Sequence, residues 1–125
     1  MNKKVILVTR VLFGLMLIGL GSFSFMNLPI PEYPPKAKEF LIALAGTGYI
    51  NHVIGIIFII VGLMFVSGRL VALGALLLAP IVVNILLFHI FLDIKSIFLG
   101  LVVAAGNIFI AYTEWDEYKG LFVSK

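Results

Sequence analysis

The chain has 125 residues, 62% of them hydrophobic and only 12% charged. Soluble domains carry about 25% charged residues, and a domain this small leaves too much surface exposed to hide so much apolar side chain, so the composition excludes a soluble enzyme. The formal charge of +3 is small and its carriers are scattered, which argues against a nucleic-acid partner, and the absence of cysteine excludes disulfides, thiol redox chemistry and thiolate metal sites on this chain.

In chain order, four stretches lack Asp, Glu, Lys and Arg: Val11–Pro31, Phe40–Gly68, Leu70–Leu92 and Ser96–Thr113. A helix crossing a bilayer needs roughly 20 apolar residues. The first stretch follows Lys3, Lys4 and Arg10. It is too long for the apolar part of a signal peptide and no clean small-residue cleavage pattern follows, so it reads as a retained first helix. The second stretch is too long for one span. Gly46-Thr47-Gly48 marks a break within it, and Pro34-Pro35 lies ahead of the break. The segment between these signals reads as a short helix with proline in its first turn. The fold predicted is an all-α transmembrane four-helix bundle, a single integral membrane domain over residues 1–125. Its spans lie at about 8–28, 49–66, 70–91 and 95–113, with an interfacial or re-entrant helix at about 34–45.

Four spans force the connections to alternate sides. Lys3, Lys4, Arg10, Arg69, Lys119 and Lys125 fall on one side, and Lys36, Lys38 and Lys95 on the other. Cytoplasmic loops of membrane proteins are enriched in Lys and Arg, so the expectation is a multi-pass protein with both termini in the cytoplasm. Tyr112 and Trp115 read as an interfacial anchor on that side, Tyr33 and Tyr49 on the opposite one. Gly14, Gly19, Gly21, Gly55, Gly62, Gly74 and the Gly100/Ala104 pair read as packing surface, because small residues let helices approach closely in lipid.

The polar residues inside the spans carry the functional question. Helical rise places Asn84 roughly 22 Å and His89 roughly 30 Å from Arg69, near the far boundary of the hydrocarbon core. Asp93 follows His89 by four residues, about one helical turn. The second span enters at that level and brings Asn51 and His52. The first brings Ser22, Ser24 and Asn27, and Lys95 and Ser96 open the fourth. Asn51, His52, Asn84, His89 and Asp93 are therefore the candidate ligand-binding residues, gathered at one end of the bundle. Each also has a structural reading: Asn84 as a hydrogen bond between helices, Asp93 as a partner of Lys95 or an orienter of His89, Arg10 as a topology signal, Pro80 as a kink. No catalytic residue and no metal site emerges. His52 and His89 as paired haem b ligands are disfavoured by their position at the boundary.

The pattern Arg10…Gly14…Gly19, the stretch "FLIALAGTGYI" at residues 40–50 and the run "GLMFVSGRLVALGALLLAPIVVNILLFHIFLD" at residues 62–93 resemble the DoxX-like family of small four-helix bacterial membrane proteins, over nearly the whole chain. That resemblance implies the bacterial inner membrane and a non-catalytic subunit of a redox- or stress-related complex, with a quinone as the ligand and a redox protein as the partner. It supplies no catalytic motif to transfer. An alternative reading is a structural, assembly or lipid-binding membrane protein. A small transporter is disfavoured, because the four charge-free stretches hold no acid for proton coupling.

Overall fold

The computed structural model describes residues 2–26 and 31–123. Six α-helices account for most of it: α1 (Lys3–Phe23), α2 (Pro35–Gly46), α3 (Ile50–Ser67), α4 (Val71–Leu92), α5 (Ile97–Thr113) and α6 (Trp115–Tyr118). Short 3-10 turns lie at Ile94–Ser96 and Lys119–Phe122. α1, α3, α4 and, with its preceding turn, α5 are long and apolar enough to cross a membrane. The all-α bundle and the inserted short helix follow the sequence expectation, as does the membrane setting. The first helix begins five residues earlier than expected, because Asn2 caps it by accepting from the Lys4 amide at 2.8 Å. It ends at Phe23, capped by Ser24, five residues before the expected end of the first span at residue 28, and Asn27 lies outside the described residues.

Neighbours in the chain are neighbours in space: α1 packs on α3, α3 on α4 and α4 on α5, and a lighter contact between α5 and α1 closes the ring. The closest seam joins α1 to α3, and glycine makes it. A Cβ on Gly14 would stand 2.8 Å from the Gly62 carbonyl oxygen, and one on Gly21 would stand 2.6 Å from that of Gly55. Both pairs are therefore in backbone contact, where dispersion replaces the missing hydrophobic drive. Gly19 differs from this expectation. It faces open space and takes no part in the seam. On α5, Gly106 admits the ring of Phe13, which also stacks on Phe65 with centroids 5.9 Å apart. Leu17, Val61, Phe65, Leu78 and Ile110 are fully buried at the centre.

The turns have local causes. α3 ends at Gly68, whose φ of +75° suits a left-handed cap. Arg10 donates Nε–H to the Phe65 carbonyl at 2.9 Å, placing its positive charge at the carbonyl end of α3. Arg10 thus acts as a cap from a neighbouring helix as well as a charge at the membrane edge. The break before α3 falls at Thr47-Gly48, with Gly48 at φ +80° and the Thr47 hydroxyl accepting from the Ile50 amide at 3.2 Å. At the end of α5, Tyr118 folds back and donates its hydroxyl to the Ala72 carbonyl at 2.6 Å.

Candidate functional site

At the end of the bundle away from the described termini, the four long helices leave a cleft that α2 covers. Its volume is about 900 Å³, within the range of small-molecule pockets. α1 contributes Leu20, α3 contributes Ile54 and Phe58, α4 contributes Ile81 and Ile85, and α5 contributes Leu99 and Val103. α2 adds Phe40, Leu41 and Leu44, from the stripe that also buries Ala37. Among the residues of the wall, only Tyr33, Asn84 and His89 carry polar side chains.

His89 stands in the last turn of α4 and is 8% exposed. Its ring fits because Gly100 faces it: a Cβ there would lie 2.9 Å from the imidazole Cδ2. Its Nδ1 lies 3.3 Å from the main-chain carbonyl oxygen of Asp93. A carbonyl only accepts, so Nδ1 carries the hydrogen and donates it. Phe88 sets its ring edge-on to the imidazole at 5.2 Å, and Tyr33 and Phe40 pack on Phe88 at 6.2 and 5.7 Å. The aromatic group seats α2 on α4 beside the histidine.

The other candidates fall differently. Asn84 lines the cleft but bonds within its own helix, donating Nδ2–H to the Pro80 carbonyl at 2.9 Å, rather than to a neighbouring helix. The bond between helices belongs instead to Asn107, which is 5% exposed, donates to the Ala75 carbonyl at 3.3 Å and leaves Oδ1 without a partner. Asp93 caps α4 and is 4% exposed. It orients His89 through its carbonyl oxygen, while its carboxylate oxygen Oδ2 is buried without a hydrogen bond. It makes no ion pair with Lys95, and the one ion pair among the described residues joins Lys119 to Asp116. Asn51 is half-buried and His52 is exposed, and neither lines the cleft. His52 packs instead beside Phe25, with ring centroids 5.2 Å apart. The two histidines thus occupy different surroundings, and among the described residues no group of three or more metal-binding side chains assembles.

Tyr33, Phe40, Phe88 and Gly100 are the site residues that sequence reasoning missed. The signal for the first three was a set of aromatics on and around an amphipathic insert. For Gly100, read only as helix packing, there was none, since its partner is a side chain on another helix. A second cavity of about 540 Å³ lies at the opposite end, between the start of α4 and the α6 region, and includes Glu114, Glu117 and Tyr118.

Compared with family models, curated proteins and solved structures, the chain matches none.

Proposed function

We propose that the protein is a non-catalytic membrane subunit that holds an amphiphile of the quinone class in the α2-covered cleft, with the head group beside His89 and the tail along the apolar walls. One observation carries this reading: a cleft of about 900 Å³ whose apolar wall is interrupted by Tyr33, Asn84 and His89 alone. Ligand sites have this character, a mostly apolar surface with a few polar groups that orient the ligand. The resemblance to DoxX-like proteins supports a redox- or stress-related complex with a redox protein as partner. The same resemblance supports a bacterial cytoplasmic membrane, and the cation count supports both termini inside it. Any redox chemistry would belong to the bound quinone, and the part of this chain is to bind and position it.

A second reading has one observation in its favour. The same apolar walls suit a phospholipid acyl chain, which would make the protein a lipid-binding or assembly factor. Mass spectrometry of the organic extract from protein purified in mild detergent separates the two. A quinone at near-stoichiometric amount is expected, and phospholipid alone would replace the first reading with the second.

A further inference from the structure

We infer that the cleft selects a head group that donates a hydrogen bond, an aromatic hydroxyl such as a phenol or hydroquinone, over the matching carbonyl compound. The inference rests on the reading of the cleft as an amphiphile site and concerns its chemical selectivity.

The argument begins with the tautomer of His89. Its Nδ1 faces the Asp93 carbonyl oxygen at 3.3 Å, and that same oxygen accepts from the Ser96 amide at 3.3 Å. Two lone pairs facing each other there, in a site removed from water, would repel, so the hydrogen belongs on Nδ1. A neutral imidazole has one donor and one acceptor nitrogen. With the donor used within the protein, Nε2 is the only polar atom His89 can offer a ligand, and it offers a lone pair. The carbonyl oxygen of a quinone also offers only lone pairs, so it meets no donor at this histidine. A hydroxyl does find its acceptor. Asn84 is neutral in this respect: one amide hydrogen is held by the Pro80 carbonyl, and the second hydrogen and Oδ1 let it donate or accept, so the selectivity rests on His89. The aromatic character of the head follows from Tyr33, Phe40 and Phe88, whose rings form the wall beside His89.

The geometry thus gives the imidazole the accepting role toward a ligand, not the donating one a quinone oxygen would need. If the two forms of one couple bind with a tenfold difference in favour of the reduced form, the bound two-electron couple becomes easier to reduce by about 30 mV.

The test uses the full chain in lipid nanodiscs at pH 8. The probes are a short-tailed alkyl benzohydroquinone, kept reduced under argon, and its matched benzoquinone, both titrated by calorimetry. The hydroquinone is expected to bind at least tenfold more tightly, and His89→Gln, which presents a donor and an acceptor, to reduce that ratio severalfold. Equal affinities, or tighter binding of the benzoquinone, overturn the donor preference while leaving the amphiphile site standing. Binding of neither probe overturns both. An independent measurement needs no ligand and no substitution in the cleft. In His52→Ala protein labelled with 15N-histidine, His89 is the sole histidine, and solid-state NMR reads which ring nitrogen carries the proton. A proton on Nδ1 and none on Nε2 is expected, and the opposite tautomer overturns the inference.

Discussion

Single residues act in this protein through what they leave unbonded as much as through what they bond. Asp93 turns its main-chain carbonyl to His89 and buries a carboxylate oxygen with no partner, and Asn107 anchors one amide nitrogen and orphans its oxygen. Tyr118 is the opposite case. Its hydroxyl is committed to Ala72, and burial, reinforced by the charge of Glu114, pushes its pKa above the usual tyrosine value. The folded state therefore holds the phenolic proton more tightly than the unfolded state does. The resulting stability is complete below the unfolded value of about 10 and is lost as pH rises through the raised folded value. Tyr118→Phe should cost about 1 kcal/mol at neutral pH. The gap in melting temperature between parent and variant should narrow above pH 10, as followed by differential scanning fluorimetry in detergent. A constant gap across that range would show that the hydroxyl ionises as readily in the folded as in the unfolded protein.

At the scale of the helices, the sequence identified glycine as the packing residue but did not rank the glycines. Gly14, Gly21, Gly55 and Gly62 have carbonyl oxygens where a Cβ would go, whereas Gly19 has nothing within 4 Å. Spacing alone could not separate them, because the direction each glycine faces depends on which neighbour its helix chooses. Gly62→Leu should lower stability by several kcal/mol, beyond ordinary overpacking, which costs about 1–3 kcal/mol, because its Cβ meets backbone rather than a side chain that can move. Gly19→Leu should be close to neutral. Thermal unfolding in the same detergent compares the two, and equal losses would mean that the seam does not determine the packing. Helix existence was legible from charge-free runs and Pro/Gly punctuation, as were the bounds of every long helix but the first, which starts and ends five residues early. The cleft was legible only in part. The sequence brought Asn84 and His89 to the right level, but also brought Asn51 and His52, because depth is set by position in the chain and facing is set by packing.

For the whole molecule, the difference in structure between its two ends matters most. The end near the described termini is tied together by Phe13 lodged at Gly106, by Arg10 on the last turn of α3 and by Tyr118 on α4, and holds only the smaller cavity of the two described, of about 540 Å³. The other end holds the cleft and its cover. The proposed orientation, with both termini inside a cytoplasmic membrane, would put the cleft toward the outer face. Because the chain lacks cysteine, a single Tyr33→Cys substitution reports that orientation cleanly. An impermeant maleimide added to intact cells should label it, and labelling only after lysis would invert the topology. A bound ligand at that level would exchange with the outer half of the bilayer and meet its partners there.

The glycine seam also bears on how the protein fits a bilayer. Gly14 meets Gly62 and Gly21 meets Gly55, two antiparallel contacts separated by seven residues on each helix, or about 10 Å. Two contacts that far apart hold α1 and α3 like a plug with two pins. A slide of one residue would bring bulky neighbours into both at once. Helices joined in this way cannot telescope past each other to match a thicker or thinner hydrocarbon layer. A change in bilayer thickness must be met by tilting of the bundle as one body or by deformation of the lipid around it. The distance between the two ends of the bundle is thereby kept constant across membranes of different thickness.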